Sequence, residues 1–377
     1  MRRVLTALAL CSLACATPSG EGASLAARKS AAGASDMMVV TNRPNNLHLV
    51  DLGARKVERT CALPGHASPA TLALSPDNGI AYVLGGPLGG NVWGVRLADC
   101  ALVFRAAQSQ GNERVATPGG IAVSPDGKQL YLHQAPVKLF LDHYEVQDTR
   151  IAVYDTSAGD GAQPLRTFAA PRQVTIMKTS ADGTLFLAGP DIFAMNPATG
   201  ETRVALQSRA PKDDVLGPRD ILTVWNIGES SNELVRMFTA PRWKPGAVGD
   251  MAQAELVWGY ERVDLATGIA SDAVLAPVQV GLFTGMSRPG RPDQFYATLT
   301  QVQRFDVPNQ RIEKSIDLEH SYYALDFGSD GSTFYLTGTF NDIAIYDADT
   351  LTKLGNITLP GGDMATGVPK IFRREAR

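Results

Sequence analysis

The chain repeats itself. An aliphatic or aromatic residue followed by a turn, usually through Asp, returns as LVDLGARKV at Asp51, GVRLADCALV at Arg96, AVYDTSAGDG at Asp155 and AMNPATGETRV at Asn196. It comes back as RVDLATGIA at Asp264, RFDVPNQRIEKSI at Asp306 and IYDADTLTKL at Asp347. Successive copies lie 45, 59, 41, 68, 42 and 41 residues apart, a base period of 41–45 with two insertions. A period in this range marks an array of small, similar units. Asp, Asn, Gly and Pro at the repeated points form hairpin turns, and β-branched and aromatic residues beside them form strands.

A second motif interleaves with the first. It reads LSPDN at 74–78 before AYVL, VSPDG at 123–127 before LYL, SADG at 180–183 before LFL, and SDG at 329–331 before FYL. A looser copy, RPGRPD at 288–293, leads into FY. Each predicts a tight turn between an inner strand and the next strand out. Seven units of four short strands make an all-β, seven-bladed β-propeller. The ends fit closure: MVVT at 38–41 matches a second strand with no first strand before it, and ATGVPKIF at 365–372 matches a first strand. The C-terminal strand is therefore expected to complete the first blade and remove an exposed sheet edge. The 377 residues then form one ring over 37–373, in place of the two or three domains that length alone suggests.

Residues 1–16 read as a signal peptide. Arg2 and Arg3 precede the apolar run VLTALALCSLACA at 4–16, which ends on small residues and is too short to span a bilayer. Lipidation of Cys15 is the alternative to cleavage, but Ser12 stands where a lipoprotein box has a branched aliphatic residue. Residues 17–36 are small and polar, a flexible leader. The chain is thus expected to be periplasmic, with no membrane span. Without 1–16 the net charge falls from −3 to −5, which disfavours nucleic acid, whose phosphates need clustered Lys and Arg. The four cysteines fall to Cys61 and Cys100. An even pair in an oxidising compartment favours a bridge, with two buried thiols as the alternative.

Chemistry-bearing motifs are sparse. The sequence has no Cys-x-x-Cys-His for haem attachment, no His-Glu-x-x-His and no Gly-x-Ser-x-Gly. His48, His66, His133, His143 and His320 are spread over four repeats without ligand spacing. No catalytic, cofactor-binding or metal residue is therefore assigned to this chain. Interest moves to the two insertions, 134–150 and 211–259. The first carries Asp142, His143, Tyr144 and Glu145, the densest polar group of the chain, although neighbours on a strand face opposite ways. The second concentrates Trp225, Trp243 and Trp258, as core of an enlarged blade or as aromatic partner contacts. Asp142, His143, Tyr144 and Trp243 are the candidates for a substrate entrance or a subunit contact.

Several strings are more specific than a generic propeller. TNRPNNLHLVDL at 41–52 looks like the YVTN-type propeller repeat. With DHYEVQ at 142–147, APRQ at 170–173 and LPGGDM at 359–364, the chain resembles the β subunit of quinohemoprotein amine dehydrogenases from about 37 to 372. That resemblance implies a periplasmic heterotrimer that oxidises primary amines to aldehydes and ammonia. Its α subunit carries two c-type haems, and its γ subunit carries cysteine tryptophylquinone. Electrons leave through the α subunit to a periplasmic acceptor. The propeller subunit carries neither cofactor, and its implied work is to scaffold the quinone subunit and shape the substrate entrance. Two other classes share the fold: a free-standing periplasmic binding module for a small molecule or protein, and a lactonase-like propeller with a metal in its central channel. The metal reading would need Asp77, Asp126, Asp182 and Asp330 to converge, whereas turn geometry already accounts for them.

Overall fold

The computed structural model describes residues 35–65, 68–209, 214–222, 232–364 and 368–375. The signal peptide, Cys15, nearly all of the leader, His66 and Trp225 lie outside the described residues. Seven antiparallel sheets form a ring, each a meander from an innermost to an outermost strand. Blade 2 shows the plain pattern: Leu72–Leu74, Ile80–Gly85, Asn91–Arg96 and Leu102–Ala107. Blade 1 takes its second to fourth strands from the start of the described chain: Ser35–Asn42, Asn46–Asp51 and Lys56–Ala62. Its innermost strand is Lys370–Arg374, paired from Ser35↔Arg374 to Val39↔Lys370. Contacts between adjacent blades run all the way round, through innermost strands except in blade 5, where the second strand Glu233–Arg242 makes them, and meet at this strand. The ring thus closes as the repeat pattern predicts. It begins two residues before the expected start at 37, because Ser35 and Asp36 already pair with Arg374 and Arg373.

The recurring Ser-x-Asp explains the inner turns. Ser75 Oγ donates to Asp77 Oδ1 (2.5 Å) and accepts from Ile80 N (2.9 Å), while Asp77 Oδ1 accepts from Gly79 N (3.0 Å). Ser124 with Asp126 and Ser180 with Asp182 repeat the first contact at 2.6 Å. The serine hydroxyls hold these carboxyls below their usual range. The copy at Asp330 is built differently: Gly328 takes the serine position, Asp330 binds Ser332, and Ser329 donates to Asp36 of blade 1. Each of the four carboxylates is engaged within its own turn.

The core lies between blades rather than in one centre. Tyr82, Phe104 and Tyr154 stack edge to face between blades 2 and 3, with centroids 5.7 and 6.2 Å apart. The close approach needs Gly94, because a Cβ there would stand 2.7 Å from Phe104 Cβ and 3.0 Å from Tyr82. Cys61 on the outermost strand of blade 1 and Cys100 in a turn of blade 2 form a disulfide, with Cα atoms 5.3 Å apart.

A meander fixes which connections share an end. Turns after the first and third strands of every blade lie on one face of the ring, here the turn face. Connections after the second and fourth strands lie on the other, the loop face. Among the described residues, the blade 3 insertion and the blade 5 hairpin that carries Trp243 both rise on the loop face, and both are built largely from strands. In blade 3 the strand Gln129–Leu139 outgrows the sheet and pairs with Tyr144–Val146 and Glu113–Ala116, a three-stranded flap. In blade 5, Glu233–Arg242 and Glu255–Asp264 make a hairpin paired residue for residue over ten positions.

Candidate functional site

The loop face is where the sequence candidates gather. The blade 3 flap is rooted in a buried polar network. Gln134 Nε2 donates to Gln108 Oε1 (2.8 Å) and to Tyr154 Oη (3.2 Å), and Thr117 Oγ1 donates to the same Gln108 oxygen (3.0 Å). Arg150 bridges Gln134 Oε1 (2.8 Å) and Glu113 Oε1 (2.7 Å), tying the second, third and flap strands together. Satisfied buried polar groups of this kind fix one geometry, since each unpaired group would cost desolvation. His133, at the same root, sets Nε2 2.9 Å from Pro171 O, and burial lowers its pKa.

The tip is different in kind. Asp142 Oδ1 and His143 Nδ1 are 2.8 Å apart, both exposed, and the His143 ring stacks on Phe140 at 4.6 Å. The two neighbours therefore bond each other across a turn, not a common target. An exposed pair of this sort contributes roughly 0–1 kcal/mol. Leu141 is fully exposed and Tyr144 74 % exposed. Leu88 on blade 2, Met251 on blade 5 and Phe340 on blade 7 add exposed apolar groups at loop-face connections of their own blades.

Trp243 belongs to the blade 5 hairpin, two blades from the flap. It is half-buried and packs on Gly217, where a Cβ would meet the indole at 2.5 Å. Trp258 is a core residue of that blade, its Nε1 donating to Val280 O (3.1 Å). The structure thus sets Asp142, His143 and Tyr144 at one point and Trp243 at another on the same face.

The four strings of the resemblance also meet there, in two pairs. TNRPNN and LPGGDM interlock: Asn42 Nδ2 donates to Pro360 O (2.9 Å) and Gly362 O (3.0 Å), and Arg43 N donates to Asp363 O (2.9 Å). The Arg43–Pro44 peptide within this contact is cis. DHYEVQ and APRQ adjoin through Arg172, whose guanidinium donates to Gln147 O (3.3 Å).

Sequence reading missed one further group on this face. Asp342 Oδ2 accepts from Tyr322 Oη (2.7 Å) and Asn356 Nδ2 (2.9 Å), and its Oδ1 lies 3.2 Å from His320 Nε2. The His320 ring lies tilted against Tyr322, centroids 4.1 Å apart, and burial together with Asp342 raises the Tyr322 phenol. Both carboxylate oxygens are engaged, so the arrangement braces blade 7. Its signal was thin: His320 and Asp342 lie 22 residues apart, and the SDG turn motif between them gives no sign that the two side chains meet. Among the described residues no group of three His, Cys, Asp or Glu side chains is placed to hold a metal, and no helix is long and apolar enough to cross a membrane.

No protein-family model matches the chain, and no curated protein matches it. Solved structures do. A chain of hydrazine synthase from Kuenenia stuttgartiensis superposes with a TM-score of 0.51 at 15 % identity, over 84 % of this chain and 90 % of that one. The dihydro-haem d1 dehydrogenase NirN gives 0.49 at 13 % identity, over 88 % and 75 %. AztD from Citrobacter koseri gives 0.49 at 11 %, over 90 % and 98 %. The likeness to the hydrazine synthase chain, at this low identity, carries the architecture and not the activity.

Proposed function

We propose that this chain is the cofactor-free propeller subunit of an exported amine-oxidising complex of the quinohemoprotein type. In this reading it works in the periplasm, beside a haem-bearing α subunit and a quinone-bearing γ subunit. One observation carries the reading. The four strings of the resemblance, scattered over more than 300 residues of sequence, pair off on the loop face, one pair at the exposed apolar flap of blade 3 and the other where blades 7 and 1 meet. Rigid, partly apolar surfaces that protrude from a scaffold bury well against a partner. The work assigned to the face is to seat the quinone subunit, keep water from the reacting carbonyl and orient the amine.

The test is co-purification of the tagged chain from its native host, followed by haem and quinone staining of the separated subunits. Companions that stain are expected, as is a neighbouring reading frame with two Cys-x-x-Cys-His motifs. A lone propeller with no stained companion overturns the reading. A free-standing binding module is the second reading, favoured by an axial cavity on the turn face.

A further inference from the structure

The third strand of blade 3 outruns the fourth. Arg150–Asp155 and Tyr144–Val146 both pair with Gln129–Leu139, the first in the blade and the second in the flap. Lys128 O accepts from Thr156 N, Pro136 O accepts from Gln147 N, and Phe140 N donates to His143 O. Residues at even spacing along a strand bond towards the same side, so the two segments continue one line. The outermost strand, Arg166–Ala169, follows that line only over 150–153, and its last backbone contact is Ala170 N to Thr149 O. Among the described residues no strand pairs with the far edge of Tyr144–Val146.

The ladder fixes which groups this edge offers. Bonded and non-bonded pairs alternate in an antiparallel hairpin. Glu145, opposite Lys138, is in a bonded pair and turns its N–H and C=O into the flap. Tyr144 and Val146 stand in non-bonded pairs, opposite Leu139 and Val137, and turn theirs outward. Two donors and two acceptors thus lie in strand register on an exposed edge, without the proline or lysine that commonly guards one.

The side chains choose the occupant. Tyr144 and Val146 share one face with Leu139 and Val137, and Glu145 points to the other. Asp142, Glu145 and Asp148 line the edge, with Lys138 behind Glu145 and Arg172 3.5 Å from Asp148. A second copy pairing antiparallel would set Glu145 against Glu145 and Asp142 against Asp148, and like charges directly opposite are unfavourable. We infer that, given the partner reading above, this edge takes a strand from the quinone-bearing subunit, in which two apolar residues over Tyr144 and Val146 flank a basic residue beside Glu145. In such strand addition the main-chain bonds supply affinity and the alternate side chains supply specificity.

Hydrogen exchange on the free chain, and on the complex co-purified from the native host, tests it. The Tyr144 and Val146 amides should exchange fast in the free chain and at least about tenfold more slowly in the complex. Val146→Pro removes one outward N–H and leaves the flap's own ladder intact. It should weaken the complex at least about tenfold, while Val146→Ile keeps it. Unchanged exchange of the two amides in the complex, or full assembly of the Val146→Pro chain, overturns the inference and leaves the partner reading standing. Slow exchange in the free chain together with a dimer mass assigns the edge to a second copy and also overturns it. The absence of any stained companion of the native chain overturns the partner reading and this inference together. If the Glu145 amide exchanges faster in Val146→Pro, the flap is disturbed and exchange in the native complex decides alone.

Discussion

Inside blade 5, Glu261 accepts from Arg219 at 2.6 Å and from Arg236 at 2.8 Å, and all three side chains are withdrawn from water. Ser208 Oγ adds a third contact to the carboxylate (2.8 Å), Arg219 reaches on to Asp272, and its guanidinium lies 4.2 Å over the Phe238 ring. The Coulomb gain of such a group is largely offset by desolvation, so its net worth is small while it is intact. Breaking it is another matter. Glu261→Gln leaves two arginines facing each other in a dry blade, and a loss of about 3–5 kcal/mol is expected in urea unfolding. A loss under about 1 kcal/mol would show that water reaches the cluster. His48 gives the second residue-scale expectation. Burial holds its imidazole at about 4 against an ordinary 6.5, with Thr60 Oγ1 2.9 Å from Nδ1 and Asn42 Oδ1 3.0 Å from Nε2. Between those values the unfolded chain takes up a proton that the folded one refuses. Stability is therefore whole above pH 6.5 and falls as pH drops towards 4, by about 3 kcal/mol. Denaturant midpoints at pH 7 and 4.5 should separate in the native chain and draw together in His48→Gln. Equal shifts in both would assign the acid limb to other groups.

At the scale of elements, the repeat made most of the fold legible. Every Ser-x-Asp or Asp-Gly turn read from the sequence sits between the strands it was assigned to, because the turn chemistry is local and the apolar run after it is short and β-branched or aromatic. The insertions were legible only as departures. Pro136 inside the strand Gln129–Leu139 broke the strand pattern, yet the position is tolerated because it lies in the extension beyond the blade, opposite Val115. The innermost strand of blade 5, Asp220–Ile221, has two residues and leaves no periodic signal. The ion cluster was hidden for a third reason: Arg219 and Glu261 come together only when strands 42 residues apart pack. The flap carries this scale's expectation. Its tip touches little of the ring, so Leu141→Asp with Tyr144→Ser should change stability by no more than about 0.5 kcal/mol per site. The same pair should abolish co-purification of cofactor-bearing companions, and deleting 138–142 should weaken assembly or shift the preference among amines. Full assembly with unchanged kinetics would remove the flap from the partner surface.

At the scale of the whole ring, two devices hold blade 1, and they act on opposite sides of it. Lys370–Arg374 ties its inner edge to the other end of the chain, and the Cys61–Cys100 disulfide ties its outermost strand to blade 2. The bridge closes 39 residues of sequence, for which the chain-entropy account gives about 4 kcal/mol of stabilisation. The closing strand works differently, by covering the edge of Ser35–Asn42 that would otherwise face solvent unpaired. Because both act on one blade, their removals should not add. With the strand cut away at 368, the oxidised chain keeps blade 1 attached through the disulfide. Once that truncated chain is also reduced, blade 1 is joined to the ring covalently only through 63–71 and otherwise by hydrogen bonds such as Asn42 to Pro360 and by packing, and it should peel off as a unit. Limited proteolysis reads this directly. The full chain should resist whether oxidised or reduced, the truncated oxidised chain should be nicked slowly, and the truncated reduced chain should lose the segment 35–63 first. Equal cleavage of the two truncated forms would mean that inter-blade packing, through Leu47, Leu49, Val83 and Trp93, holds blade 1 without either device.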